Sequence, residues 1–112
     1  MGSSPRQARR FDEPLVWRVF QRRGTVQILL LLESAGVARF RDINEAFPTI
    51  ARQVLGNRLA ELREIGIVER RVQEGPPLGS NYRLTDVGVQ LAQAANVLDE
   101  VARSDQIPSL AA

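Results

Sequence analysis

The chain has 112 residues, 44% of them hydrophobic and 25% charged, which suits a globular protein with one core. It contains no Cys and no His, which excludes disulfides, thiol redox chemistry, Cys/His zinc sites and histidine general-base catalysis. The formal net charge is only +2, but residues 1–23 carry six Arg against Asp12 and Glu13, while residues 85–112 carry Arg103 against Asp86, Asp99, Glu100 and Asp105. The front is therefore basic and the back acidic.

Every basic side chain is an Arg. Arg makes planar, bidentate contacts to phosphate and guanine, although a codon bias gives the same composition. No apolar run approaches the length of a membrane span, and the start of the chain has no secretory apolar segment, so a cytoplasmic protein without membrane contact is expected. No carboxylate pair, nucleophile–base pair, metal cluster or phosphate-cradling Gly loop stands in a known motif. The expectation is a protein that is not an enzyme and uses no cofactor or metal.

Residues 1–12 are polar, basic and without apolar period, and read as a flexible arm whose Arg6, Arg9 and Arg10 suit phosphates or a minor groove. Residues 13–22 read as a short helix with Pro14 in its first turn and Leu15, Val16, Val19 and Phe20 as a stripe beside Trp17. Residues 25–35 read as the central core helix. Thr25 is its expected N-cap and Gly36 its stop, and its Leu run predicts burial nearly all round. Residues 37–39 are a short extended link. A third helix over 40–47 places Phe40, Ile43 and Phe47 at steps of three and four, and Pro48 ends it.

A tight turn then leads into residues 49–66, read as a long helix with Thr49 as N-cap and Gly66 as stop. Ile50, Val54, Leu55, Leu59, Leu62 and Ile65 form the core stripe. The opposite face holds Arg52, Gln53, Gly56, Asn57, Ala60 and Arg63, with no acid in the first two turns. Gly56 costs helix stability, which a close approach to another surface would explain; a solvated face with a chance Gly is the plainer alternative. Two helices joined this way have helix-turn-helix spacing.

Residues 67–73 have strand character, with Val68, Arg70 and Val72 on one side. The sequence EGPPLG over 74–79 is a turn, and residues 80–84 form a second strand with Tyr82 and Leu84 inward. Two strands around a Pro/Gly loop after a helix-turn-helix make a winged helix, so the fold class is mainly α with a small β-wing (α+β). Residues 85–102 form the last helix, N-capped by Thr85. Its Val87, Leu91, Ala94, Leu98 and Val101 make a narrow seam that either packs back on the core or pairs with a second copy, and pairing is expected. The organisation is thus an arm over 1–12, a winged helix-turn-helix with dimerising terminal helices over 13–102, and a frayed tail over 103–112.

In this order the residues resemble the HxlR family of bacterial winged-helix regulators, relatives of MarR, across about residues 24–100. The carriers are Ile28-Leu29, Phe40-Arg41-Asp42-Ile43, the run from Leu55 through Asn57 to Leu62, Gly66-Ile67-Val68-Glu69-Arg70 and Pro76-Pro77. The most specific is Tyr82-Arg83-Leu84-Thr85-Asp86-Val87-Gly88. The resemblance implies a homodimeric DNA-binding transcription regulator, dimerised through its first and last helices. The chain departs from the family in three places. The usual N-terminal cysteine, a sensor of electrophiles or oxidants in some members, is absent. Arg22-Arg23-Gly24 replaces a Gly-Lys-Trp, and Ala51 stands where a serine often opens the recognition helix. A small-molecule effector is compatible with the family, and nothing in the sequence names one.

A helix in the major groove presents its N-terminal half to base edges. Arg52 there suits guanine, Gln53 and Asn57 suit adenine, and Gly56 lets the backbone come near. Arg39, Arg41 and Thr49 are phosphate candidates. Asn81 and Arg83 stand behind the wing tip, and Arg70 flanks the backbone. Arg58 lies in the apolar stripe and is expected inside, paired with an acid such as Glu33 or Asp42. Trp17, Phe20, Leu91, Ala94, Leu98 and Val101 are the expected dimer interface. A winged-helix protein-interaction module without direct DNA binding is the alternative, favoured by the low net charge.

Overall fold

The computed structural model describes residues 13–76, 79–106 and 108. The basic arm over 1–12, the wing-tip residues Pro77 and Leu78, and residues 107 and 109–112 of the expected tail lie outside the described residues. The elements are α1 (Leu15–Gln21), α2 (Thr25–Ala35), β1 (Ala38–Arg39), α3 (Phe40–Ala46), α4 (Arg52–Glu64), β2 (Val68–Gln73), β3 (Gly79–Leu84) and α5 (Asp86–Ala102). The architecture is an α+β winged helix.

Helix α2 is the centre. Ile28, Leu29 and Leu32 are fully buried, and Val26, Leu30 and Leu31 pack partly buried around them, so the Leu run is covered on nearly every side. Against it lie Ile43 of α3, Leu55, Leu59 and Leu62 of α4, Val68 of β2, and Ala92 and Ala95 of α5. Burying each of the larger side chains contributes about 1.5–3 kcal/mol.

The expected N-cap role of Thr25 is not observed. Gly24 takes that position in the left-handed region at φ 94°, and Thr25, fully buried, donates its hydroxyl to the Val19 carbonyl. The short α1–α2 corner, Arg22-Arg23-Gly24, needs that reversal, and only Gly adopts it without strain. A Cβ at Gly24 would also lie 3.4 Å from Cγ of Arg58. The Arg22-Arg23-Gly24 departure thus belongs to the packing of α4 against this corner.

Helix α4 begins later than the sequence predicts. Thr49 and Ile50 belong to the turn, closed by the Ile50 amide donating to Phe47 O at 3.0 Å, and Ala51 is the N-cap without a side-chain bond. Ile50 is nonetheless buried, because the turn folds inward before the helix starts. Thr49 caps nothing; its carbonyl accepts from Arg23 Nη2 at 3.1 Å.

The sheet order is β1-β3-β2, antiparallel throughout. The two-residue β1 pairs Ala38 with Tyr82 and Arg39 with Asn81, so the link before α3 joins the sheet. In the wing, Val68 sits opposite Leu84 and Val72 opposite Ser80. Val68 is buried, but Val72, on the same side of the strand, is 69% exposed. Alternation is kept along β2, but the hairpin outruns the core after Val68, so the same face of the strand meets solvent from Arg70 onward.

The wing returns into α5 through one tight junction. Thr85 N donates to Ile67 O at 3.1 Å, the Thr85 hydroxyl donates to Gly66 O at 2.6 Å, and Gly88 N donates to Thr85 Oγ1 at 3.1 Å, which makes Thr85 the N-cap the sequence predicts. Gly88 is buried against the Ile67 carbonyl, and a Cβ placed on it would lie 2.1 Å from that oxygen. Gly88→Ala therefore forces α5 away from the sheet. The expected cost is at least about 1–3 kcal/mol, the usual range for overpacking, read as a lowered midpoint in denaturant or thermal unfolding.

Candidate nucleic-acid interface

Helix α4 shows two rows on its outer side because residues four apart share a face. Gln53 and Asn57 form one row, both exposed and, among the described residues, without a side-chain hydrogen bond. Arg52 and Gly56 form the neighbouring row, turned toward α3. The Arg52 guanidinium carbon lies 5.3 Å from the centroid of the Phe40 ring, and a Cβ on Gly56 would meet Cε2 of that ring at 3.8 Å. Gly56 therefore faces Phe40, an ordinary van der Waals neighbour. The contact between α4 and α3 at this point leaves room for a side chain. The first turn of α4 has no acid and no side-chain cap, so its free amides carry the positive end of the helix dipole.

Arg39, Arg41, Arg52 and Arg70 line one groove of about 390 Å³ between the start of α3, the start of α4 and the wing, with Phe40 and Tyr82 as its apolar walls. The lining holds four arginines and no carboxylate. Two other surface grooves among the described residues are balanced: Arg63 and Arg70 against Glu64 and Glu69, and Arg18 and Arg22 against Glu61 and Glu64. Arg39 donates to Gln73 Oε1 at 2.7 Å and Arg70 to Ser80 Oγ at 2.8 Å, so both are steered by neutral partners that leave their charge unpaired. Arg41 reaches only Glu45, at 3.9 Å on an open surface, a pairing of little energetic weight.

The remaining candidates are dispersed. Thr49 is exposed in the turn before α4, and Asn81 is half-buried on β3 opposite Arg71 and Arg39. Arg83 is tied to Glu69, which Arg71 also approaches at 3.6 Å. The hydrogen bond from Arg83, with the charges of Arg83 and Arg71, holds the Glu69 carboxyl below its ordinary range against the opposing effect of desolvation. This stabilisation is present above the unfolded pKa and is lost as pH falls through the depressed folded value. At neutral pH Arg83 is thus engaged within the sheet.

Arg58 is inside, with its side chain 11% exposed, but its partner corrects the expectation. Arg58 Nη1 bonds Glu61 Oε1 at 2.8 Å, and Arg22 Nη1 bonds the same oxygen at 2.8 Å. Glu33 is instead bound by Asn96, and Asp42 Oδ2 accepts from the Arg39 amide at 3.2 Å. An acid three residues on, on the same helix face, is the nearer choice. Phe40 packs partly buried against the core, as its spacing with Ile43 and Phe47 suggests, and also walls the groove beside Arg52, to which no local spacing connects it.

The terminal helices expose the expected seam. On α5 the buried residues are Gly88, Ala92 and Ala95, and Leu91 packs half-buried against the same core, while Ala94, Leu98 and Val101 turn outward. Leu98 is 47% and Val101 51% exposed, and beyond Ala95 no residue of α5 is buried. Trp17, half-exposed on α1, meets Phe20 and Leu91 around an apolar cleft between α1 and α5.

A family model described as HxlR-like helix-turn-helix matches residues 19–108. The chain belongs to the HxlR-like helix-turn-helix family. Among curated relatives, the HTH-type transcriptional regulator YodB of Bacillus subtilis (strain 168) is 41% identical over 56 residues, covering 50% of each chain. The uncharacterized HTH-type transcriptional regulator YvaP of the same organism is 38% identical over 68 residues, covering 61% of this chain and 60% of its own. The matches therefore span about half to three-fifths of the length of these relatives. In structure, the reduced form of YodB superposes with a TM-score of 0.67 at 29% identity, over 90% of this chain and 92% of that one. The redox regulator HypR in its oxidized form superposes with a TM-score of 0.74 at 26% identity, over 80% and 92%. Both curated relatives are named HTH-type transcriptional regulators, and neither name denotes an enzyme.

Within this HxlR-like fold, Gly56→Ala is expected to raise stability by about 0.5–1 kcal/mol through helix propensity. The added methyl group meets Phe40 at an ordinary distance. Thermal melts read the gain, and a fall in melting temperature would show that the α3–α4 contact is tighter than the structure has it.

Proposed function

We propose that the protein is a cytoplasmic transcriptional regulator that binds double-stranded DNA as a homodimer, with α4 in the major groove. The observation that carries this reading is the coincidence on one surface of an unengaged Gln53–Asn57 row and an adjacent groove lined by four arginines with no acid. Gln and Asn pair bidentately with adenine edges, and arginines match phosphate oxygens. Arg39 and Arg41 lie where they can follow the backbone, Thr49 can donate its hydroxyl to it, and the wing with Asn81 behind its tip approaches the neighbouring minor groove. The names of the relatives, all HTH-type regulators, support the same reading.

The dimer is built from Trp17, Phe20, Leu91, Ala94, Leu98 and Val101. A helix end with no buried residue and a row of exposed apolar side chains leaves surface that a second copy covers by twofold symmetry. Such a pair sets two recognition helices about 34 Å apart, one turn of DNA. With no Cys in the chain, regulation by a thiol switch has no nucleophile.

The test is selection of bound fragments from random DNA, followed by titration of the isolated protein on the selected and scrambled duplexes. Gln53→Ala and Asn57→Ala should each lose about 1–3 kcal/mol of discrimination at one or two base pairs, with non-specific affinity nearly unchanged. If both variants keep full sequence preference, the assignment of α4 fails and a protein-interaction role takes its place. Leu98→Glu should sediment as a monomer at micromolar concentration and bind the selected duplex more weakly than wild type. A wild-type monomer under those conditions contradicts the dimer.

A further inference from the structure

We propose that Arg52, seated on the ring of Phe40, clamps a DNA backbone phosphate and reads no base, which leaves recognition on α4 to Gln53 and Asn57. The inference rests on the DNA-binding reading above and assigns a role within it. From sequence alone Arg52 is a guanine reader, because it opens the recognition helix. Its surroundings argue otherwise. Arg52 belongs to the row of α4 that faces α3, one residue and about 100° away from the Gln53–Asn57 row. Its guanidinium stands over Phe40 at 5.3 Å from the ring centre and lines the groove shared with Arg39, Arg41 and Arg70.

That groove is a poor place for a base edge and a good one for a phosphodiester. Its charge has one sign, and among the described residues no carboxylate lies within 4.0 Å of the guanidinium groups of Arg39, Arg52 or Arg70. Guanidinium groups gathered without a counter-charge repel one another, and a single anionic phosphodiester relieves all of them together. The partners of Arg39 and Arg70 are the neutral Gln73 and Ser80, which fix direction without neutralising charge. Stacking on an aromatic face engages the guanidinium through its plane, and the in-plane donors stay free for phosphate oxygens. Phe40 is accordingly a positioning residue: it touches no DNA and holds Arg52 away from the base-reading row.

The test compares wild type, Arg52→Ala, Arg52→Lys and Phe40→Leu in salt titrations on the selected and scrambled duplexes, with thermal melts as a folding control. For Arg52→Ala the slope of log K against log salt should shrink by about 0.9, one phosphate contact. Affinity should fall by the same factor on both duplexes, so their ratio stays constant. Arg52→Lys should recover the slope but not the full affinity, because an ammonium lacks the planar fork. Phe40→Leu should weaken both duplexes by about two- to fivefold, the weight of an exposed cation–π contact. Neutral methylphosphonate at successive backbone positions should reveal one position where wild type loses affinity and Arg52→Ala does not. An unchanged slope for Arg52→Ala, or a ratio of the two affinities that falls more than about threefold, overturns the clamp while leaving DNA binding intact. Wild type that binds neither duplex overturns the DNA-binding reading itself.

Discussion

The contact between Gly88 and the Ile67 carbonyl fixes the relation between α4 and the rest of the molecule. Ile67 closes the end of α4, its amide donating to Leu62 O at 2.8 Å, and its carbonyl receives Thr85 N from the far side of the wing. The start of α5 can press onto this point only because residue 88 has no side chain. Thr85 then serves three groups at once: it caps α5, holds the Gly66 carbonyl and anchors the end of β3. The wing, the end of α4 and the beginning of α5 thus share one small hydrogen-bonded junction. The sequence run from Tyr82 to Gly88 is the chemical description of that junction.

Charge is organised as sharply as packing. Acids on the outer surface are spent beside the arginines that brace the structure: Glu61 between Arg22 and Arg58, Glu69 between Arg83 and Arg71, Asp99 with Arg103. Among the described residues Arg39, Arg52 and Arg70 around the start of α4 have no such pairing, and Arg41 has only a long, exposed one to Glu45. A net charge of +2 therefore understates the local field, since the neutralised arginines lie elsewhere. Low overall charge and a strongly basic groove are compatible once the acids are placed.

Element order and the core were legible from period and punctuation. The Leu run of α2, the stripe of α4 and the N-cap of α5 all follow from local spacing, and the structure has them there. What could not be read depends on residues distant in sequence. Thr25 turns its hydroxyl back to Val19 because Gly24 reverses the chain first. Val72 keeps the strand alternation yet lies outside, because the length of the hairpin exceeds that of the core, which no alternation reveals. Arg58 was rightly placed inside, but its partner is settled by the helix's own next turn. Phe40, twelve or more residues earlier in the chain, carries no local signal that it lies beside Arg52 and Gly56. The α5 row that covers the core, Gly88, Ala92 and Ala95, is made of small residues, and a hydrophobicity pattern weights these less than the larger ones turned outward.

Glu61 adds a mechanical consequence. One carboxylate oxygen holds Arg22, at the end of the helix that carries Trp17, and Arg58, on the helix that carries Gln53 and Asn57. Arg23 adds a second tie from the same corner to the turn before α4. The two helices are thereby tied at one corner, so a displacement of α1 is passed to α4 through a single shared carboxylate. Under the proposed pairing of two copies, the spacing of the two α4 helices would then depend on how α1 is seated.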